Sequence, residues 1–297
     1  MKMKKLGMLA ISLVLTLLLV ACGGSTRTPI SKETPSAENP AQSSASQRPK
    51  EETTIDEFVI LNQDGFIITV KELVEDSLWG TGVKFLIENE TEQNLGFSCE
   101  SVSVNNYMIP DLFSSSVAAG MKSNDILYFA SSLDKAGIEI LSDISLSFRV
   151  YDGDTYQTIF VSDSLEIRTS AYGSVIQPAL DEGDELYNEN GVRIVGRYIE
   201  DDPLFGANVS LFIENDREEP VIVQCDNVSV NGFMVTALLS QQVTAGRMAL
   251  SDITILSSDL ETNDIETIDT VSLVFKVLNV DTYQTIAQSE PVTFYTN

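Results

Sequence analysis

The chain repeats itself, and the repeat constrains its fold more than any other feature. Val102-Ser103-Val104-Asn105-Asn106-Tyr107-Met108-Ile109 returns as Val228-Ser229-Val230-Asn231-Gly232-Phe233-Met234-Val235, an offset of 126 (228 − 102). The same offset relates Asp64-Gly65-Phe66-Ile67-Ile68 to Asn190-Gly191-Val192-Arg193-Ile194. It also relates Leu78-Trp79-Gly80 to Leu204-Phe205-Gly206 and Ile87-Glu88-Asn89 to Ile213-Glu214-Asn215. One inserted residue later the offset is 127, and Asp154-Thr155-Tyr156-Gln157-Thr158-Ile159 is identical to Asp281-Thr282-Tyr283-Gln284-Thr285-Ile286. Self-similarity of this extent means a duplicated domain, and 297 residues give each copy room for its own core.

Each copy reads as β-structure. Val83, Phe85 and Ile87 alternate with Lys84 and Glu88, as Val209, Leu211 and Ile213 do with Ser210 and Glu214. Similar short runs lie around 66–72, 102–109, 125–130, 144–150, 156–161 and 164–169. Asn-Asn and Asn-Gly tolerate the positive φ of a two-residue hairpin turn, so the repeated octapeptide is a hairpin that sets strand register. Ser131-x-x-Asp134 and Ser258-x-x-Glu261 match a capping box and predict a single helical turn crossing between sheets, closed in the first copy by Gly137. Seven or so short strands with a crossover turn point to an all-β fold: two tandem immunoglobulin-like β-sandwiches. The expected boundaries are 56–170 and 182–297, joined by a linker over 171–181.

The N-terminus is organised differently. Lys2, Lys4 and Lys5 precede an apolar run from Leu6 to Val20, too short to span a bilayer and shaped like a signal peptide. It ends in Leu19-Val20-Ala21-Cys22. Here the chain resembles a bacterial lipoprotein precursor, and those four residues match the lipobox. The resemblance implies that residues 1–21 are a signal peptide cleaved between Ala21 and Cys22, and that Cys22 carries a diacylglyceryl group. Two or more acyl chains anchor stably. The expected location is the extracytoplasmic face of a cell membrane. With its duplicated sandwich, the whole resembles surface lipoproteins that carry tandem immunoglobulin-like domains.

From Gly23 to about Thr54 the chain is rich in Ser, Thr, Pro, Glu and Gln and nearly devoid of large apolar residues. Residues 22–55 are therefore expected to be a lipidated, disordered tether that lifts the folded part off the lipid. A coil of about 30 residues spans about 30 Å.

Composition narrows the chemistry. The formal charge is −26, and removal of three leader lysines takes 18 basic residues to 15, hence 15 − 44 = −29. That excess disfavours nucleic acid, which needs Lys and Arg for its phosphates, and electrostatic adhesion to anionic lipid. It suits the solubility of an exported protein. Histidine is absent, which removes the commonest general base and zinc ligand. No catalytic residue, metal site or cofactor is expected, and the chain is read as a non-enzyme.

The remaining candidates favour structural roles. Cys99 and Cys225 are equivalent, and a flexible junction would keep them apart, so no disulfide is expected. Asp152-Gly153-Asp154 aligns with Asn279-Val280-Asp281 and reads as a turn rather than a calcium loop. In the Asp-Thr-Tyr-Gln-Thr-Ile run, Asp and Thr fit a turn while Tyr and Ile alternate as strand residues. Trp79 beside Gly80 suits core or loop packing. The Asn-x-Ser/Thr patterns at Asn89, Asn208 and Asn227 are coincidental in a bacterial lipoprotein. Specificity is expected where the copies differ, as in Asp111-Leu112-Phe113 against Ala237-Leu238-Leu239. The expected function is to bind or support another envelope component, a protein or cell-wall partner. The alternative is a ligand-binding lipoprotein of a transport or sensing system.

Overall fold

The computed structural model describes residues 27–31, 53–110, 112–202 and 205–296. Ala21 and Cys22, the signal peptide and most of the expected tether lie outside the described residues. The first repeat contains β2 (Phe58–Gln63), β3 (Phe66–Asp76), β4 (Gly80–Asn89), β5 (Leu95–Val104), β6 (Tyr107–Met108), β7 (Ser114–Val117), β8 (Lys122–Tyr128), α1 (Ser132–Lys135), β9 (Asp143–Asp152), β10 (Thr158–Val161) and β11 (Leu165–Arg168). The second contains β12 (Asp184–Glu189), β13 (Val192–Asp202), β14 (Gly206–Asn215), β15 (Val221–Val230), β16 (Phe233–Met234), β17 (Ala237–Leu238), β18 (Ser240–Val243), β19 (Arg247–Leu256), α2 (Ser257–Thr262), β20 (Thr270–Asn279), β21 (Thr285–Gln288) and β22 (Val292–Thr296). A further strand, β1 (Arg27–Ser31), lies far upstream of both.

Each repeat is an immunoglobulin-like sandwich of two antiparallel sheets. In the first, one sheet runs β2-β3-β4-β8, and the other pairs β9 with β5 on one side and with β10 and β11 on the other. The second repeats the plan, with β12-β13-β14-β19 in one sheet and β15, β20, β21 and β22 in the other. The alternation read from sequence is the inward face: Val83, Phe85, Ile87, Val209, Leu211 and Ile213 are all fully buried.

Residues retained in both copies act as backbone staples. Asn89 Nδ2 donates to the carbonyls of Gln93 (2.8 Å) and Val117 (2.9 Å). Asn215 Nδ2 does the same to Glu219 (3.0 Å) and Val243 (2.9 Å). Asn89 is thus buried structure, not an open glycan acceptor. The first Asn of the repeated hairpin does more than turn the chain. Asn105 Oδ1 accepts the Ser142 N–H at 2.7 Å and Asn105 Nδ2 donates to Ile140 O at 2.8 Å. Asn231 makes equivalent bonds to Asp269 N–H (2.9 Å) and Thr267 O (2.8 Å).

Several details depart from the sequence expectation. Both helices form between the sheets, but neither N-cap makes a side-chain bond, and Ser258 lies inside α2 instead of capping it. Gly137 does close α1, at φ 61°, with its N–H on Asp134 O at 3.0 Å. Asp152 and Asn279 each accept bonds from the backbone N–H two and three residues on, so both loops are Asx turns. Tyr156 and Tyr283, expected in strands, instead sit in those turns at φ 61° and 56° and are 70% and 68% exposed. Residues 27–31, expected in a disordered tether, form β1. It pairs antiparallel with β13 through Arg27–Pro29 and with β22 through Ile30 and Ser31. Ile30 is buried in the second core, the apolar contact that composition averaging hides.

Candidate functional site at the junction of the repeats

The two sandwiches meet through the repeated hairpin. In the first copy its tip carries Asn105 and Asn106 at φ 47° and 69°, which turns β6 out towards β19. β6 pairs parallel with β19 at Tyr107 and Met248, and Met248 N–H donates to Asn106 O at 2.9 Å. Arg247 Nη1 donates to the Asn106 side-chain oxygen. Tyr107 is fully buried and stacks edge-on against Phe212 of β14 at 6.4 Å. Its hydroxyl donates to Pro178 O at 3.1 Å and accepts the Leu180 N–H at 2.7 Å. Burial holds this phenol above its ordinary pKa, opposed by the Leu180 bond. Val195 and Phe212 of the second repeat belong to the first repeat's apolar core, while Met108 packs on the second core.

The expected flexible junction is therefore a packed one, and part of the expected linker is docked. Gln177 and Leu180 both contact the first repeat. The equivalent hairpin of the second copy, turned by Asn231 and Gly232 at φ 50° and 85°, faces solvent. Phe233 is 49% and Met234 65% exposed where Tyr107 is 0%.

Beside the docked hairpin lies a cleft of about 450 Å³, lined from both repeats by Tyr107, Lys135, Arg197, Glu200 and Asp252, and from β1 by Arg27. Arg27 and Glu200 form an ion pair at 3.1 Å. The Tyr198 ring has the Arg27 guanidinium at 4.6 Å and that of Arg197 at 5.2 Å. Arg197 Nε is buried without a hydrogen-bond partner among the described residues. Burial pushes the Asp252 carboxyl up, against the pull of Lys135 and Arg197. Such a cleft can hold a small polar group and offers a guanidinium to an anion. Among the described residues no cluster of three His, Cys, Asp or Glu is arranged to hold a metal.

The other sequence candidates are dispersed. Cys99 is buried, Cys225 is half-buried, and neither is in a disulfide. Burial pushes the Cys225 thiol up to about 11. Trp79 is 55% exposed and packs on Tyr128 at 6.3 Å, so it is loop packing, not core. Leu112 is exposed while Phe113 packs edge-on against Phe85 and Phe148. Ala237–Leu238 in the second copy instead adds a short strand to β19. Among the described residues, no helix is long and apolar enough to cross a membrane.

No family model matches the chain, and no curated protein matches it. Among solved structures it is similar to the YadV chaperone, with 10% identity and a TM-score of 0.22, covering 73% of this chain and 92% of that one. It is also similar to the Salmonella enterica SafA pilin in complex with the SafB chaperone, with 12% identity and a TM-score of 0.21, covering 72% of this chain and 88% of that one.

Proposed function

We propose that this is a lipid-anchored extracytoplasmic protein whose paired sandwiches bind another envelope component, a protein. The anchor reading rests on Lys2, Lys4 and Lys5, the apolar run and the Leu19-Val20-Ala21-Cys22 lipobox. The binding reading is carried by one observation. A hairpin that docks one sandwich onto another in the first copy is left open in the second, with Phe233 49% and Met234 65% exposed. Aromatic and Met side chains at an exposed hairpin tip are the residues that interfaces use as anchors.

A photo-crosslinking residue at position 233, in cells, should capture one protein neighbour, and the yield should fall when Met234 is changed to Asp. Equal capture from an exposed position far from the hairpin, such as Glu92, would reject the site. Cys22→Ala should abolish fatty-acid labelling; an unchanged acylated product would reject the anchor.

The junction cleft favours a second reading, a small-ligand-binding lipoprotein, because Arg27, Lys135 and Arg197 line it together. A saturable thermal shift with a carboxylate ligand, lost in Arg197→Ala, would promote it.

A further inference from the structure

The two repeats are completed in different ways. In the first, the chain entering β2 covers the sandwich's open edge. Ile55 is buried in the core, and Thr54 and Ser170 exchange bonds, with Thr54 N–H on Ser170 Oγ at 3.0 Å and Ser170 N–H on Thr54 O at 2.8 Å. In the second, the stretch entering β12 is committed elsewhere: Leu180 packs on the first core and bonds Tyr107. The edge between β13 and β22 is filled instead by β1, whose Ile30 pairs with Thr296 and enters the second core. By the 127-residue offset Thr296 corresponds to Thr169, one residue from the Ser170 that Thr54 bonds. Ile30 thus stands in the second repeat where Ile55 stands in the first.

The slot is shaped for that side chain. The first repeat has Val70 where the second has Gly196. A methyl group added at Gly196 would collide with Ile30 Cδ1 and lie 2.8 Å from Leu186 Cδ1. A side chain arriving from outside the repeat needs the space that Val70 fills from within.

We infer that the second repeat is a strand-acceptor module, and that its ligand is an extended segment of the chain's own N-terminus, Arg27–Ser31, bound by β-augmentation. Main-chain pairing supplies affinity in such a groove, and one inward side chain, here Ile30, supplies selectivity. The inference deepens the proposed lipid anchor and rests on it for one consequence. With β1 docked, only five residue steps (27 − 22) lead from Cys22 to Arg27, a reach of at most about 18 Å. With β1 released, 31 residue steps (53 − 22) lead from Cys22 to Thr53, and the reach grows to about 110 Å. The slot therefore sets the length of the tether and holds the junction cleft, which Arg27 lines, near the anchor point.

The test uses the full mature chain with Cys22→Ser, so that its outcome is independent of lipidation, which the labelling experiment above judges separately. Arg27→Cys and Glu200→Cys, introduced together at paired positions, should form an intrachain disulfide on mild oxidation in most molecules. Ile30→Asp should lower that yield at least tenfold. Gly196→Ala should lower it too, and Ile30→Ala added to Gly196→Ala should restore it by removing the colliding methyls. Absence of the crosslink, a crosslink that joins two chains, or a yield indifferent to Ile30→Asp would each overturn the inference. A second measurement keeps it falsifiable if the pair fails to fold. In Ile30→Asp, backbone exchange should accelerate at least tenfold within 198–200 and at 295 while 72–74 stays unchanged. Equal exchange in mutant and parent would overturn it.

Discussion

At the scale of single residues, the duplication offers paired controls. Tyr107 and Phe233 occupy one alignment position, but only Tyr107 is buried, with its hydroxyl bonded to Pro178 O and Leu180 N–H. Removing that hydroxyl leaves a donor and an acceptor without partners in a buried seam, so Tyr107→Phe should cost about 1–3 kcal/mol. Phe233→Tyr should change stability by less than about 0.5 kcal/mol, as surface substitutions do. Chemical denaturation of both variants checks the contrast. Asp252 offers a pH test. Burial raises its folded pKa above the ordinary carboxylate value, so the folded state binds a proton that the unfolded state has already lost. Stability contributed by that proton is present at low pH and disappears as pH rises through the folded pKa. At pH 7 Asp252 is therefore a burden, and Asp252→Asn should raise the melting temperature there. The gain should shrink as pH falls towards 4; a gain that grows with acidity would refute the assignment. Neither role was legible in the sequence. Nothing local distinguishes Tyr107 from Phe233, and the environment of Asp252 is assembled from Lys135, Glu200 and Arg197, which are distant in the chain.

At the scale of elements, what the sequence revealed was what local physics determines. Period-two alternation marks strands because successive side chains point to opposite faces, and β4 and β14 bury the residues that it selects. The Asn-Gly and Asn-Asn turns were visible because positive φ restricts the residue choice. β1 was not visible, since Arg-Thr-Pro-Ile-Ser contains a proline and a single large apolar residue, and its partners lie more than 160 residues away. The duplication held one further clue, now explained. Asn89 and Asn215 are retained because each ties the end of its strand to a loop carbonyl, Gln93 or Glu219, and to the last carbonyl of a neighbouring strand, Val117 of β7 or Val243 of β18. Asn215 is fully buried, so Asn215→Ala strands the carbonyls of Glu219 and Val243 and should cost about 1–3 kcal/mol. Hydrogen exchange should then rise first in β18, whose end those bonds fix.

At the scale of the whole molecule, two effects of opposite sign meet. The chain carries 44 acidic against 18 basic residues, and like charges repel across a compact surface. Against that stand the ion pairs of the described residues, three of which converge on Arg193. Their partners are all partly solvent-exposed, so each contributes only up to about 1 kcal/mol and is itself screened by salt. The repulsion is summed over the many carboxylates left without a cation, and a Debye length of about 10 Å at 0.1 M salt is enough to weaken it. Repulsion should win. Raising sodium chloride from 20 to 300 mM should increase the melting temperature by several degrees, whereas a decrease would mean that the Arg193 cluster and its like dominate. The packed junction adds a second signature to the same scan. Val195 and Phe212 lie in the first repeat's core while Met108 packs on the second, so the repeats should melt in one coupled transition. Tyr107→Ala removes the seam's central aromatic, and in that variant the single transition should split into two, each retaining the salt dependence that its own acidic surface dictates.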